Sequence, residues 1–333
     1  MNRRKLYAVS VLALLALAML GACAPRSKTA ETTPDAALAV PQPAPVTIGV
    51  LPTEDVLPLW VAQERALYAE NGIDSVSIVV FETSEERDAA LAVGEVDACM
   101  SDIVAAAQLE AAGTPVTIAN VALGAEAAEG RFGVVGAIDS GYVDITALVG
   151  APVSTSVNSL EEYVVDGLMR QADVSAADVV AQDGPGAAAR YEQLLHGQLK
   201  AAVLPEPWLT RAEAEGAPVL ADDTTGENLS QTTLIFSDEY LCETGGVDTM
   251  SAILKTWDDA VAIINGDPDE WRDLLAQSTR IPDSIKDTYR MNTYPMAQIP
   301  SAAQIDAVLE WLADKGAIGR GALTYEDLVL VMP

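Results

Sequence analysis

Two prolines flank a glutamate at the end of an apolar run, in the stretch AVLPEPWLT from Ala202 to Thr210. Each proline fixes φ at about −65° and lacks a backbone N–H, so the pair ends the strand that the apolar run predicts. In open α/β sheets, ligands bind beyond the carboxyl ends of the strands. Glu206 and Trp208 are therefore candidates for ligand binding, with a rigid surface turn as the alternative.

Other polar and aromatic residues stand where predicted strands end or helices begin. They could bind a small solute, or the polar ones could only cap the helices that start there. Trp60 and Tyr163 occupy corresponding first turns, where they would sandwich a flat ligand unless they pack on their own sheets. The predicted ligand-binding residues are Thr53, Glu54, Asp55, Trp60, Phe81, Ser84, Ser101, Asp102, Ser156, Asn158, Tyr163, Glu206 and Trp208.

Catalytic and metal chemistry have little support in these residues. The single histidine, His196, falls at the predicted end of a helix, where the helix dipole favours a solvated cation. No cysteine pair has the spacing of a metal site, and no glycine-rich phosphate-binding motif follows a strand. We therefore expect no catalytic residue, no metal and no cofactor.

The elements that must position the candidate residues alternate between strand and helix, which is typical of α/β construction. The runs VTIGVL, VSIVVF and VDACM predict strands, and LPLWVAQERALYAE and SEERDAALAVG predict helices. A shift of 103 residues repeats this order and aligns Arg87 with Arg190 and Gly94 with Gly197. The repeat predicts two lobes of similar topology whose strand ends face each other across a cleft.

Three pairs of residues have the spacing of helix-capping boxes: Thr83 with Glu86, Ser159 with Glu162, and Ser301 with Gln304. Two runs, GRFGVVGAI near residues 130–138 and TTLIFSDEY near 232–240, are suited to cross between the lobes. We expect lobe one at 46–134, lobe two at 135–234, and a mostly helical return to lobe one at 235–333.

The N-terminal sequence predicts export and membrane attachment. Residues 1–22 have a basic start and an apolar centre, typical of a signal peptide, and LGAC resembles a lipobox with Cys23 as the lipidated residue. Plain secretion is the alternative. Residues 23–45, rich in proline, alanine and threonine, predict a flexible tether. Cys99 and Cys242 could pair or remain free thiols.

Net charge excludes several partners. The formal charge is −30, and removal of residues 1–22, with three basic and no acidic residues, makes it about −33. Such a charge disfavours nucleic acid and anionic lipid headgroups as partners.

Six segments together resemble the type II periplasmic-binding-protein fold, in the branch that binds sulfonates, taurine, nitrate and thiamine-precursor pyrimidines. The resemblance spans Val46 to Val331 and is carried by LPLWVAQERALYAENGI, AALAVGEVDACMSDIVAA, GRFGVV, NSLEEYVVDGLM, LHGQLKAAVLPEP and AVLEWLADKGAI…YEDLV. It implies a two-lobed, Venus-flytrap α/β fold with two hinge crossings. Members of this family are binding components of ATP-driven importers, and the Gram-positive ones are usually lipoproteins.

The resemblance implies a monomeric solute-binding protein, anchored through Cys23 on the extracytoplasmic face of the membrane, with a permease and an ATPase as partners. Because the strand ends carry several carboxylates, we expect a neutral or cationic nitrogen heterocycle, such as a thiamine-precursor pyrimidine. A sulfonate, taurine or nitrate is the alternative, since helix N-termini can hold an anion. A pyrimidine-synthase-like enzyme and a lipoprotein without a transport role are the other classes.

Overall fold

The computed structural model describes residues 42–330. The predicted signal peptide, Cys23 and most of the predicted tether lie outside these residues. The ten strands are β1 Val46–Val50, β2 Val76–Val80, β3 Ala98–Asp102, β4 Val116–Leu123, β5 Phe132–Gly136, β6 Pro152–Thr155, β7 Val180–Asp183, β8 Ala201–Pro205, β9 Val219–Asp222 and β10 Thr232–Ser237.

Thirteen α-helices and four short 3-10 turns lie between and after these strands in the described part of the chain. The helices are α1 Leu57–Glu64, α2 Leu67–Glu70, α3 Ser84–Ala92, α4 Ile103–Ala111, α5 Leu160–Gln171, α6 Ala187–Leu195, α7 Trp208–Ala214, α8 Asp238–Leu241, α9 Gly246–Gly266, α10 Arg272–Thr279, α11 Asp283–Lys286, α12 Ala302–Lys315 and α13 Tyr325–Leu328. The 3-10 turns are Glu54–Val56, Ile145–Leu148, Ala176–Asp178 and Pro268–Trp271.

The strands form two five-stranded sheets of the same design. Their orders are β2-β1-β3-β10-β4 and β7-β6-β8-β5-β9. In each sheet four strands run in one direction, and the fourth position in the order is filled by the one antiparallel strand, which follows a crossing from the other lobe. The predicted two-lobed α/β fold is confirmed, and the repeat seen in the sequence corresponds to a repeat of sheet topology.

The crossings between the sheets lie just before the runs in which the sequence placed them. Strand β5 belongs wholly to the second sheet and β10 wholly to the first. The connecting segments are therefore 124–131 and 223–231, whereas the expected lobe boundaries after 134 and 234 fall inside these two strands. In the sequence, each crossing could be located only by the apolar run that follows it and forms a strand.

Local sequence explains where several helices begin and end. Thr83 caps α3 by accepting a hydrogen bond from Glu86 N, and Ser301 and Gln304 form a complete capping box on α12. Ser159 also caps its helix, α5, but it accepts from Glu161 N and so makes a tighter turn than the predicted spacing implies. The C-terminal end of α12 is Gly316 with φ +74°, a conformation that glycine adopts without strain.

The C-terminal helices pack mainly on lobe one. Helix α9 buries Trp257 in the core beneath α1, and the indole N–H donates to Pro295 O at 3.0 Å. Helix α12 differs, because it also reaches lobe two. Trp311 packs edge to face on Tyr163 at 5.3 Å and donates to Asp166 Oδ2 at 2.8 Å.

The N-terminal edge of the described body begins slightly before the predicted end of the tether. Ala44 N donates to Thr249 Oγ1 at 2.7 Å, and the hydroxyl of Tyr240 donates to Pro45 O at 3.1 Å. These bonds attach residues 44–45 to α8 and α9. The last residues of the predicted tether therefore belong to the folded body.

Candidate functional site

A cleft of about 640 Å³ lies between the two lobes. Its walls are the strand ends and helix starts that follow β1, β2 and β3 in lobe one and β6, β7 and β8 in lobe two. Ten predicted site residues line it: Thr53, Glu54, Asp55, Ser84, Ser101, Asp102, Ser156, Asn158, Glu206 and Trp208.

Three predicted site residues, all aromatic, do not line the cleft. Trp60 packs against the core beneath α1, and Tyr163 packs on Trp311 in a different core. Phe81 packs beside Gly49 and the core of the first sheet. The predicted sandwich of a flat ligand by Trp60 and Tyr163 is therefore wrong, since helical aromatics at this spacing face their own sheets.

Trp208 lies at the cleft with one side of its ring already engaged. The guanidinium of Arg211 lies 4.5 Å from the ring centroids of both Trp208 and Tyr191. The two rings are themselves 5.4 Å apart. Trp208 can therefore offer a ligand only the part of its indole that faces the cleft.

Glu54 is a buried carboxyl on the 3-10 turn that opens the first helix. Tyr289 donates its hydroxyl hydrogen bond to Glu54 Oε2 at 2.7 Å, and Tyr294 donates to the backbone oxygen of Glu54 at 2.7 Å. Burial, followed by the nearby Glu206 carboxylate, raises the pKa of Glu54 to about 8. Glu54 is thus mainly protonated at neutral pH, and it can donate as well as accept.

Asp55, the next residue, has an unused hydrogen-bonding atom. Its side chain is 4% exposed, and within residues 42–330 its Oδ1 has no hydrogen-bond partner. Burial raises the pKa of Asp55, while the nearby hydroxyls of Thr53 and Thr232 oppose that rise. The hydroxyl of Thr232 also lacks a partner in the described structure. A buried acceptor and a buried hydroxyl therefore stand together on the cleft wall.

Glu206, the glutamate between the two prolines, is also buried, but both of its carboxylate oxygens have protein partners. Thr210 donates to it from its backbone N at 3.1 Å and from its hydroxyl at 2.8 Å. Arg131 Nη1 lies 3.5 Å from Oε1. Burial raises the pKa of Glu206, and Thr210 and Arg131 oppose the rise. Thr210, in the first turn of α7, therefore already uses much of the hydrogen-bonding capacity of this carboxylate.

The arginines along the cleft are all paired with carboxylates among the described residues. Arg131 bonds Asp222 at 2.8 Å and Glu213 at 3.1 Å, and Arg280 bonds Glu82 through two nitrogens. Arg87 pairs with Asp88 at 2.7 Å. In the part of the chain that the structure describes, no arginine or lysine at the cleft therefore stands without a carboxylate.

Helix starts at the cleft differ in one respect. Thr83 and Asp102 cap α3 and α4 with side-chain oxygens, and Ser159 does so for α5. Helix α6 begins at Gly186 without a side-chain cap. The N–H of Ala189 donates to Gly186 O at 3.0 Å, whereas those of Ala187 and Ala188 have no side-chain cap, and residues 187–189 line the cleft wall.

Buried polar bonds hold the second hinge segment, 223–231, together and join it to the start of β5. Asp223 is fully buried and accepts from Phe132 N at 2.8 Å, from Ser230 N at 3.1 Å and from the Ser230 hydroxyl at 2.5 Å. At Gly124, φ is +86°, and a Cβ would stand 2.5 Å from Asn228 Oδ1. A larger residue at position 124 would collide with the second hinge segment.

Comparison with known proteins identifies the family to which this chain belongs. The family model described as NMT1/THI5 like matches residues 53–270, which is well over half of the chain. The protein belongs to the NMT1/THI5-like family. The family match begins at Thr53, in the cleft wall, and extends beyond β10. It does not include Tyr289 and Tyr294, the two residues that hold Glu54.

Solved structures share the fold of this NMT1/THI5-like protein at low sequence identity. The alkanesulfonate-binding protein SsuA from Xanthomonas axonopodis pv. citri, bound to MOPS, is 19% identical with a TM-score of 0.72, covering 87% of this chain and 99% of its own. SsuA from Escherichia coli is 17% identical with a TM-score of 0.68, covering 88% and 95%. The nitrate-binding protein NrtA from Synechocystis PCC 6803 is 13% identical with a TM-score of 0.69, covering 85% and 84%. No curated protein matches the chain at a significant level.

The remaining features of this NMT1/THI5-like protein concern groups outside the cleft. Cys99 is buried, Cys242 is exposed, and the two are not paired. His196 is the exposed C-terminal cap of α6, as predicted. Over residues 42–330, no three His, Cys, Asp or Glu side chains are grouped as metal ligands. Over the same range, no helix is both long enough and apolar enough to cross a bilayer.

Several cleft residues were not anticipated from the sequence. Thr232 is the first residue of the run TTLIFSDEY, and Arg131 is the second residue of the run GRFGVVGAI. Gln108 lies one turn inside α4, and its Nε2 donates to Asn158 O at 2.8 Å. Tyr289 reaches Glu54 from a segment with no strand or helix signal. Only Thr232 and Arg131 had a usable signal: Thr232 begins strand β10, and Arg131 directly precedes strand β5.

Proposed function

We propose that this protein is an extracytoplasmic solute-binding protein that captures a small molecule between its lobes and delivers it to an ABC importer. Three observations support the proposal: membership of the NMT1/THI5-like family, a fold shared with proteins named for alkanesulfonate and nitrate binding, and a cleft of about 640 Å³ bordered by two hinge segments. Pockets of this size suit small solutes. The partners are then a permease and an ATPase.

The bound solute, in this proposal, is a nitrogenous compound with N–H donors, such as a thiamine-precursor pyrimidine. The observation that carries this choice is Oδ1 of Asp55, which has no hydrogen-bond partner among residues 42–330, although the hydroxyls of Thr53 and Thr232 lie close enough to the carboxyl to lower its pKa. A buried acceptor without a donor costs free energy, and a ligand N–H would remove that cost. Because every described arginine of the cleft is already paired, a fully anionic solute gains little from them.

A sulfonate, taurine or nitrate is the second candidate. It is favoured by the uncapped start of α6, whose open N–H groups and helix dipole attract anions. The protonated state of Glu54 also lowers the negative charge that such a ligand would meet. Nitrate or a sulfonate without an amino group would, however, leave the Asp55 acceptor without a donor.

An enzyme and a lipoprotein without a transport role are the competing classes. The cleft has carboxyl groups and hydroxyls, but His196, the only histidine of the chain, lies exposed at the end of α6. Isolation of the protein with its membrane partners separates the classes. We expect a permease and an ATPase to co-purify, whereas turnover of an aminopyrimidine without either would favour an enzyme.

The protein is, in the same proposal, a monomer held to the membrane by lipid on Cys23, through a tether that ends near Ala44. Changing Cys23 to Ser should release the body into the soluble fraction, and its thermal midpoint should remain unchanged. A variant that stays on the membrane after cleavage of the leader would mean that another anchor exists.

A thermal-shift panel on refolded, ligand-free protein tests the solute class. A true ligand at about 100 times its dissociation constant adds about 2.7 kcal/mol and raises the midpoint by several degrees. We expect aminopyrimidines or related amines to give this shift. Shifts with alkanesulfonates or nitrate, and none with nitrogenous solutes, would support the second candidate instead.

A further inference from the structure

Two arginines occupy equivalent places in the two lobes. Arg87 in α3 and Arg190 in α6 each lie in the first turn of the helix that follows the edge strand of their sheet. Arg87 Nη1 donates to Met100 O at 2.8 Å, and Arg190 Nε donates to Val203 O at 3.2 Å. Both side chains are therefore fixed against the strand next to them, and both are almost completely buried.

Each arginine also donates to a serine hydroxyl that lines the cleft. Arg87 Nη2 lies 3.1 Å from Ser101 Oγ, and Arg190 Nη1 lies 3.1 Å from Ser156 Oγ. A guanidinium has only donors, so the serine oxygen is the acceptor in both bonds. The proton of each hydroxyl therefore remains available for a further hydrogen bond. In residues 42–330 neither hydroxyl donates it to a protein acceptor.

We propose that Arg87 and Arg190 are positioning residues that turn Ser101 and Ser156 into hydrogen-bond donors toward an oxygen atom of the bound solute. The inference rests on the proposed function and narrows its ligand class. The solute carries an oxygen acceptor in addition to the N–H donor that faces Asp55. A hydroxymethyl-aminopyrimidine and an aminoalkylsulfonate both meet this description.

The arginines act through the serines, because their own charges are already paired with carboxylates. Arg190 is fully buried, and its Nη2 pairs with Glu161 Oε1 at 2.9 Å. Arg87 pairs with Asp88. A neutral oxygen can therefore be bound as well as an anionic one. Ser101 and Ser156 belong to different lobes, so a single acceptor that is bonded to both would connect the lobes in the closed protein.

Two matched pairs of probes test this inference by titration calorimetry. The first pair is an aminopyrimidine with a hydroxymethyl group and the same ring with a methyl group in its place. The second pair is taurine and ethylamine. In at least one pair, the probe with the oxygen acceptor should bind about tenfold more tightly or better, as a hydrogen bond made to a buried polar site predicts.

Variants identify the groups responsible. Ser101→Ala and Ser156→Ala should each remove most of this preference and leave the affinity for the oxygen-free probe unchanged. Ser251→Ala is the matched control, because Ser251 is not among the residues that line the cleft and its hydroxyl donates to Val247 O within α9. It should change the preference less than threefold. Arg190→Lys should give the same loss as Ser156→Ala, and the double variant should lose no more than either single one.

The outcomes separate the two proposals. Equal binding of both probes in each pair, with no effect of the serine variants, would overturn the positioning role and leave the nitrogenous ligand class intact. No binding of any probe would overturn the ligand class itself. If Arg190→Lys fails to fold, the two serine variants still decide, because each removes only one small hydroxyl.

Discussion

The buried carboxyl of Glu54 predicts a distinctive dependence of stability on pH. Its pKa lies at about 8 in the folded protein and near 4.5 in the unfolded chain. The folded protein therefore holds the proton more tightly, and the stability associated with it is fully present below pH 4.5 and is lost as the pH rises to about 8. Each tenfold change in proton affinity is worth about 1.4 kcal/mol, so the full effect is about 5 kcal/mol as an upper value.

Glu54→Gln is the perturbation that isolates this effect. Glutamine keeps an oxygen that can accept from Tyr289, and it has no charge to bury at any pH. We expect wild type and variant to be similarly stable at pH 4.5, and the variant to gain over wild type up to pH 8, by several kcal/mol at the top of this window. Urea unfolding at half-unit steps of pH measures the difference directly.

Glu82→Gln is the control for this experiment. Glu82 is exposed, and its hydrogen bond with Arg280 lowers its pKa, so the control should show a small effect of opposite sign. Parallel stability curves for wild type and Glu54→Gln across the whole pH range would refute the reasoning. They would mean that Glu54 is ionised at neutral pH in the fold.

Three further predictions concern buried polar groups. Glu206→Gln should weaken a nitrogenous solute less than a change at Asp55 does, because the Glu206 oxygens are already bonded within the protein; calorimetry on both variants compares them. Asp223→Ala should lower the free energy of unfolding by about 3 kcal/mol or more, since it strands backbone N–H groups and the Ser230 hydroxyl in the hinge, and urea unfolding tests this. Lys315→Met should cost about 1–3 kcal/mol by leaving the buried carboxylate of Asp166 without a cation, and an unchanged unfolding midpoint would contradict this.

Much of the fold could be predicted from the sequence because the pattern was repeated. The apolar strands and the caps at Thr83 and Ser301 are local signals, and the shift of 103 residues placed β3 opposite β8 and α3 opposite α6. The carboxyl ends of these strands then had to face one cleft. That reasoning placed Asp55, Ser101 and Glu206 correctly at its wall.

What could not be predicted depends on contacts between distant segments. Trp60 and Tyr163 were expected at the cleft, but the direction of a helical side chain is set by the sheet and by Trp311, which comes from far along the chain. The bond from Tyr289 to Glu54 joins residues 235 positions apart. Likewise, sequence alone could not show that the Glu206 oxygens accept hydrogen bonds from Thr210, whereas Asp55 Oδ1 has no partner within residues 42–330.

We propose that a small nitrogenous solute is captured in the cleft by Oδ1 of Asp55, which has no hydrogen-bond partner within residues 42–330. Calorimetric titration of refolded wild type and Asp55→Asn with the aminopyrimidine and amine probes tests it most directly. We predict saturable binding of one solute per protein, weakened about tenfold or more in Asp55→Asn because a charged hydrogen bond is lost. Saturable binding of alkanesulfonates or nitrate alone, with equal affinity in both proteins, would contradict the claim.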